Sequence, residues 1–156
     1  MLDISELPTE PQSEDWAFVF AGRNTVTSLR GQPGLPWRRS EVTTQWGVSF
    51  SDAIPVGRWQ DRGAWVFSVP EDSINQTQQI SSNLYGLLGR VEDSLFRAHG
   101  RAYQLLYWRD THRHCGRCGS LTRAIEHGRA VLCDSCSLRV YPRVSPCVIV
   151  LVNKGD

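Results

Sequence analysis

Four cysteines in the last third of the chain have the spacing of metal ligands. Cys115 and Cys118 form one Cys-x2-Cys pair, 14 residues separate it from the pair Cys133 and Cys136, and Cys147 stands apart. Two such pairs fit a tetrahedral Zn2+ site in which each pair contributes two thiolates from one tight turn. A redox dithiol and an iron–sulfur site are the alternatives, although the sequence shows no βαβ setting of the thioredoxin type. We therefore predict that the four paired cysteines bind zinc.

The predicted zinc is structural, because four thiolates close the coordination sphere and leave no position for water or substrate. Residues 112–143 carry few large apolar side chains, so the metal must supply much of the folding energy of this segment. Structural zinc contributes roughly 10–16 kcal/mol of apparent binding energy in small modules. Short strands predicted over residues 121–125 and 130–133, with His127 and Gly128 at the turn, form a hairpin that brings the two pairs together.

Charge is distributed unevenly along the chain, although the net charge is only +1. Residues 1–96 contain seven arginines and twelve acidic residues, whereas residues 97–143 contain nine arginines and three acidic residues. A basic stretch of this kind could face an anionic partner such as RNA. Alternatively, arginine is simply the usual cation of this protein, since Lys154 is its only lysine.

The first part of the chain is predicted to be rich in β-structure. At 156 residues the protein is one ordinary domain, or one small domain with an appended module. Five of the six tryptophans precede residue 66, and we expect them to form the core of a small sheet. Strands are predicted over residues 16–20, 25–29, 45–50, 56–60 and 64–69, with a break in regular structure between Gly31 and Pro36.

A helix is predicted over residues 91–111, directly before the first cysteine pair. Gly100, inside this helix, costs up to ~1 kcal/mol relative to alanine, which suggests close packing at that point. The apolar residues recur every three or four positions and predict one buried stripe, made of Leu95, Ala98, Ala102, Leu105 and Leu106.

The stretch from Cys147 to Val152 is continuously apolar and rich in β-branched residues. Such a run is typical of a strand that is buried on both faces in the middle of a larger sheet. Because a central strand needs neighbours, we expect it either to join the N-terminal sheet or to begin a further domain.

The sequence carries no signal for membrane insertion or secretion. No apolar run approaches the ~20 residues of a membrane helix, and the N-terminus lacks the features of a signal peptide. An odd number of cysteines without a secretion signal also argues against a disulfide framework. We therefore expect a cytoplasmic protein without a membrane partner.

Four motifs occur in order along residues 90–152. They are Leu95-Phe96-x3-Gly100-Arg101-Ala102, His112-x2-Cys115-Gly-x-Cys118-Gly, Cys133-x2-Cys136 and Tyr141-Pro142-Arg143-x-Ser-Pro146-x-Val-Ile149. Together they resemble the NAD(H) pyrophosphatases of the Nudix superfamily. The resemblance implies an α+β protein with a β-rich N-terminal domain over residues 1–90, a connecting helix over 91–111 and a zinc ribbon over 112–143. Residues 144–156 would then hold the first strand of a Nudix domain.

The resemblance also implies a reaction and a substrate residue. Members of the family split NAD(H) into AMP and nicotinamide mononucleotide, and related enzymes remove NAD caps from RNA. The family enzyme is a homodimer, and its Tyr-Pro tyrosine helps to line the nicotinamide pocket across the dimer. Tyr141 is therefore expected to bind substrate. Glu126 lies near a family acidic contact but out of register, and it receives no assignment.

The catalytic carboxylates of the family have no counterpart in this chain. The Nudix box, Gly-x5-Glu-x7-Arg-Glu-x2-Glu-Glu-x-Gly, holds the catalytic Mg2+ or Mn2+. The seven glutamates here do not have that spacing. We therefore expect the rest of the Nudix domain to be missing, assign no catalytic residue, and expect the chain alone to be inactive.

Two functions from different classes follow. The first is the N-terminal and zinc-ribbon portion of an NAD(H) pyrophosphatase, truncated or complemented by a separate Nudix domain, with structural, dimerisation and substrate-pocket roles. The alternative is a stand-alone zinc-ribbon module that binds nucleic acid or protein. Nucleic-acid binding by such a module would weaken steeply with salt, because phosphate contacts release counterions.

Overall fold

A mixed β-sheet forms the body of the N-terminal part. The computed structural model describes residues 2–29, 32–49 and 53–154. Three predicted segments extend outside the described residues: the break that begins at Gly31, the strand that ends at Phe50 and the C-terminal segment that ends at Asp156. The strands of this sheet are β1 (Leu2–Asp3), β2 (Trp16–Ala21), β3 (Asn24–Ser28), β4 (Trp37–Arg38), β5 (Ile54–Trp59), β6 (Arg62–Val69) and β7 (Gln79–Ser82).

The strands are arranged in the order β1-β5-β6-β2-β3-β7, and β4 pairs with the beginning of β2. Strands β2 and β6 run parallel, and the other described pairs are antiparallel. The predicted strands at 16–20 and 25–29, and those at 56–60 and 64–69, correspond to two antiparallel hairpins, β2–β3 and β5–β6. The β5–β6 turn places Gln60 and Asp61 at φ 50° and 61°, which is the left-handed pair of a tight hairpin turn.

Strand β2 is buried along its whole length because both faces of the sheet are covered. On one face Trp16, Phe18 and Phe20 pack against the long helix α2 (Asp93–Thr111). On the other face Ala17 and Val19 pack with residues of the short helix α1 (Arg39–Trp46). Of the five tryptophans predicted to form the core, those at 16, 37, 59 and 65 are buried, and Trp46 is partly buried.

The predicted strand over residues 45–50 is wrong. Residues 39–46 form helix α1, and Gly47 ends it in the left-handed conformation at φ 61°. At the other end the backbone N–H of Arg38 donates to Glu41 Oε2 at 2.6 Å. These two end signals favour a helix over the short alternating pattern of residues 45–50, which overlaps the end of the helix.

Helix α2 confirms the helix predicted over residues 91–111, although it begins two residues later, at Asp93. Leu95, Ala98, Ala102 and Leu105 are buried against the sheet, and Leu106, the fifth residue of the predicted stripe, is partly buried. The inferred close packing at Gly100 is wrong, because a Cβ atom added there would meet nothing within 4 Å.

The segment after α2 is a small three-stranded antiparallel sheet. Its strands are β8 (Thr122–Ile125), β9 (Ala130–Cys133) and β10 (Arg139–Val140), in the order β10-β9-β8. This confirms the predicted hairpin and, together with the large sheet and helices, the α+β class. The Arg129 side chain donates from Nη1 to the Pro55 carbonyl at 3.3 Å, so this sheet contacts β5.

The C-terminal segment differs from its prediction. Residues 147–152 form no strand, and Val148 to Val152 are exposed. The interpretation that this segment joins the N-terminal sheet is therefore wrong, because no described strand lies beside it to share backbone hydrogen bonds. No helix in the described part of the chain is both long and apolar enough to cross a membrane.

Candidate metal centre and ribbon surface

The four paired cysteines converge on one point. Their Sγ atoms all lie within 4.8 Å of one another, with 3.5 Å between Cys115 and Cys136 and 3.4 Å between Cys118 and Cys133. Sulfur ligands at 2.3 Å from a tetrahedral zinc ion are about 3.8 Å apart, so this arrangement fits Zn2+ with small adjustments. Among the described residues, this is the one group of three or more cysteine, histidine or acidic side chains placed to hold a metal.

Two turns with the same hydrogen bonds present these sulfurs. In each turn the N–H of the first cysteine donates to the carbonyl five residues later, and its own carbonyl accepts from the N–H four residues later. In the first turn the distance from the Cys115 nitrogen to the Ser120 oxygen is 2.8 Å, and that from the Gly119 nitrogen to the Cys115 oxygen is 2.9 Å. In the second turn the distance from the Cys133 nitrogen to the Leu138 oxygen is 2.9 Å, and that from the Ser137 nitrogen to the Cys133 oxygen is 2.8 Å. The two Cys-x2-Cys turns therefore have the same pattern of backbone hydrogen bonds.

The fourth residue after the first cysteine has the same left-handed backbone in both turns. Gly119 has φ 74° and Ser137 has φ 57°. Glycine adopts this conformation without steric cost, whereas serine does not. The first turn therefore uses the residue that its geometry favours, and the second turn carries local strain.

Hydrogen bonds from backbone N–H groups and one hydroxyl favour thiolates at the first pair. The N–H groups of Arg117 and Cys118 lower the pKa of Cys115. The hydroxyl and the N–H of Ser120 lower the pKa of Cys118 to about 6. Because the thiolate is the form that binds a metal, these contacts favour the ligating form of the first pair. Without a metal, burial and the neighbouring thiols raise the pKa of Cys136 to about 12.

Tyr141 lies next to β10 in a polar cluster with two other residues. Its hydroxyl donates to Glu126 Oε1 at 3.1 Å, and Arg139 Nη1 donates to the same carboxylate oxygen and to the Tyr141 hydroxyl, each at 3.2 Å. The tyrosine is 46% exposed. The cluster fixes the phenol group and leaves much of the ring accessible.

Two residues of this cluster, Glu126 and Arg139, received no role from the sequence. Glu126 lies in the ribbon turn, where Glu126 and His127 have φ 52° and 54°. Two successive left-handed residues shorten the turn and bring the carboxylate to Tyr141. The pair His127-Gly128 predicts the turn, but no residue pattern in the sequence predicts the left-handed backbone of Glu126.

Much of the basic stretch is used within the fold. The three acidic residues of positions 97–143 each pair with an arginine: Asp110 with Arg113, Asp134 with Arg123 and Glu126 with Arg139. Arg101 donates to the Val56 carbonyl at 2.9 Å, and Arg129 donates to Pro55. Burial lowers the pKa of both of these guanidinium groups. The excess of arginine is therefore partly structural.

Comparison with known proteins gives two findings. Residues 110–141 match the NADH pyrophosphatase zinc ribbon domain. The chain is 32% identical over 141 residues to the NAD-capped RNA hydrolase NudC of Photorhabdus laumondii, covering 89% of this chain and 49% of that protein. It is 33% identical over 111 residues to NudC of Yersinia enterocolitica, covering 71% of this chain and 40% of the relative. The chain thus spans half or less of the length of these curated relatives.

Proposed function

We propose that this chain is the N-terminal and zinc-ribbon part of an enzyme that hydrolyses the pyrophosphate of NAD(H), because residues 110–141 match the NADH pyrophosphatase zinc ribbon domain. The products would be AMP and nicotinamide mononucleotide. NAD-capped RNA is the second proposed substrate, since the relatives from Photorhabdus and Yersinia are named for its hydrolysis. The catalytic Mg2+ or Mn2+ would be held by a Nudix domain, and no residue of this chain is assigned to it.

The proposed division of labour follows the elements of the chain. In this proposal residues 1–90 are the β-rich domain, residues 91–111 contain the connecting helix, residues 112–143 are the ribbon and residues 144–156 begin the Nudix domain. Zinc bound by Cys115, Cys118, Cys133 and Cys136 would link the two ribbon turns and keep the ribbon folded. Such a site needs reduced thiols, which fits the cytoplasm expected from the sequence.

The observation that carries the substrate role is the cluster of Tyr141, Glu126 and Arg139. The hydroxyl of Tyr141 is held by Glu126 and Arg139, so the direction of its ring is set before any ligand arrives. A half-exposed aromatic ring in a fixed direction can stack on a planar nicotinamide group. We propose that this ring lines the nicotinamide pocket of the partner subunit in a homodimer.

A chimera tests this proposal. The chain would replace the matching half of the Photorhabdus laumondii relative, and the zinc-loaded chimera would be assayed with NADH and with NAD-capped RNA in the presence of Mg2+ or Mn2+. We expect hydrolysis of both substrates. The chain by itself should hydrolyse neither.

Substitutions in the chimera test the role of Tyr141. Tyr141→Ala should raise KM for NADH roughly tenfold, because it removes a stacking partner of the base. Tyr141→Phe should raise KM less, and Tyr85→Ala, which removes an exposed tyrosine outside the cluster, should leave KM unchanged. A folded, zinc-loaded chimera without activity would contradict the proposed enzyme. An active chimera in which Tyr141→Ala leaves KM unchanged would contradict only the role of Tyr141.

A further inference from the structure

A cleft of about 820 Å³ lies where the large sheet, the second half of α2 and the ribbon meet. We call it the junction cleft. Its lining includes apolar side chains (Ile54, Phe67 and Val131) together with Arg23, Tyr107 and Arg113. Neither the four paired cysteines nor Tyr141 line it. Its volume is in the range of small-molecule sites, and the proposed function does not use it.

An aromatic row leads from the core into this cleft. Phe20 is fully buried, and its ring lies 5.5 Å from that of Tyr103. Tyr103 in turn stacks on Tyr107 at 6.0 Å with 25° between the ring planes, and Tyr107 is 52% exposed. The ring of Tyr107 is therefore supported from the protein side and accessible from the cleft. Supported rings of this kind are the platforms on which nucleic-acid bases stack.

Positive charge is in excess around the cleft. Three arginines and one acidic residue, Asp110, line it. Asp110 pairs with Arg113, but both side chains are exposed, and an exposed ion pair of this kind is exchanged for another anion at little cost. Arg23 is exposed in the β2–β3 turn. Arg109 lines the cleft as well, close to Gly128 of the ribbon turn.

We propose that the junction cleft binds a nucleoside monophosphate unit. The base would stack on Tyr107 over the apolar lining, and the phosphate would lie between Arg23 and Arg113. A flat apolar ring system joined to an anion matches a cleft that combines a supported aromatic ring with excess positive charge. The unit could be a free mononucleotide or one nucleotide of single-stranded RNA. The inference goes beyond the proposed function, because it requires no hydrolysis.

Binding to the zinc-loaded full chain tests the inference. AMP would be titrated by calorimetry, and a fluorescein-labelled oligoadenylate of five nucleotides would be titrated by anisotropy, each at two salt concentrations. Saturable binding of AMP identifies the free mononucleotide as a ligand. Binding of the oligoadenylate but not of AMP identifies single-stranded RNA as the ligand. Either result supports the inference if the substitutions in the cleft weaken the binding.

The variants decide where the ligand binds. Tyr107→Ala and Tyr107→Leu should each weaken binding roughly tenfold, since leucine keeps apolar surface but removes the stacking face. Arg113→Gln should weaken binding and reduce its salt dependence. Tyr85→Ala and Arg90→Gln, which lie outside the cleft, should change nothing. Absence of binding by both ligands at millimolar concentration would overturn the inference. Binding that is insensitive to Tyr107 and Arg113 but lost in Arg117→Gln would also overturn it and place the ligand on the ribbon.

Discussion

The Nε2 atom of His99 lies 2.6 Å from the carbonyl oxygen of Gly34, inside the interface between helix α2 and the sheet. Because a carbonyl only accepts, Nε2 carries the proton, and Nδ1 accepts from the Thr25 hydroxyl at 3.0 Å. His99 is fully buried, and burial lowers its pKa from 6.5 to about 4. A neutral imidazole thus ties the loop after residue 31, strand β3 and helix α2 together.

This imidazole makes stability depend on pH. In the unfolded chain His99 takes up a proton as the pH falls below about 6.5, whereas in the folded protein it stays neutral down to about pH 4. The unfolded state therefore binds more protons in this window, and the free energy of unfolding should fall by about 3 kcal/mol between pH 6.5 and pH 4. Urea denaturation at several pH values measures this change.

His99→Gln is the control for the pH effect. Glutamine can donate to Gly34 and accept from Thr25, but it does not titrate. The variant should be less stable at pH 7 and should lose less stability toward pH 4 than the unchanged protein. Loss of zinc in acid affects both proteins, so the difference between them isolates His99. Identical pH dependence in the two proteins would contradict the prediction.

Chelation of zinc should unfold the ribbon and leave the N-terminal sheet intact. The ribbon has a small apolar core, whereas the large sheet has buried side chains on both faces. Hydrogen exchange should show that the N–H groups of Cys115 and Cys133 lose their protection, while those of β2 keep it. Unchanged protection of residues 112–143 after zinc removal would refute this prediction.

Cysteine variants separate the zinc ligands from the remaining thiol. Cys133→Ser should abolish stoichiometric zinc binding, because it removes one of the four converging thiolates. Cys147→Ser should retain one zinc ion per chain, because Cys147 is exposed and outside the cluster. The measurement is metal content by elemental analysis after dialysis. Equal zinc content in the two variants would argue against the four-cysteine site.

The two ribbon turns should respond oppositely to substitution at the equivalent left-handed positions. Ser137→Gly should increase the stability of the zinc-bound ribbon by up to about 1 kcal/mol, because glycine adopts φ 57° without strain. Gly119→Ala should decrease it by about 1 kcal/mol, and nothing lies within 4 Å of the added methyl group to confuse the comparison. Competition with a chelator measures both changes, and changes of the same sign would count against matched turns.

Gly100→Ala should stabilise the protein by about 0.5–1 kcal/mol. The position is inside helix α2, an added Cβ meets no neighbour, and alanine loses less backbone entropy on folding than glycine. Gly57→Ala is the contrasting variant, since Gly57 has φ 151° and an added Cβ would collide with the Asp3 carbonyl. It should destabilise the protein. Urea denaturation measures both, and a loss of stability in Gly100→Ala would reveal a packing role for this glycine.

The features that the sequence predicted correctly depend on neighbours in the chain. The β2–β3 hairpin has only Gly22 and Arg23 between its strands, and the ribbon hairpin closes over a turn marked by His127 and Gly128. The buried stripe of α2 follows from helical spacing alone. Helix α1 was missed because its end signals, Glu41 and Gly47, are weaker in the sequence than the alternation of residues 45–50.

By itself the sequence determined the two cysteine pairs that bind the metal. Two residues between ligands bring two sulfurs to one metal ion in almost any surroundings. Only the tertiary structure decided what lies between distant segments: Glu126 against Tyr141, His99 against Gly34, and the junction cleft with Tyr107 and Arg113. Among the described residues it also placed no strand beside residues 147–152, although their apolar run predicts a buried strand. The physical reason is that local sequence fixes backbone conformation and short-range ligation. A strand, a buried histidine or a binding cleft depends instead on groups supplied by other parts of the fold.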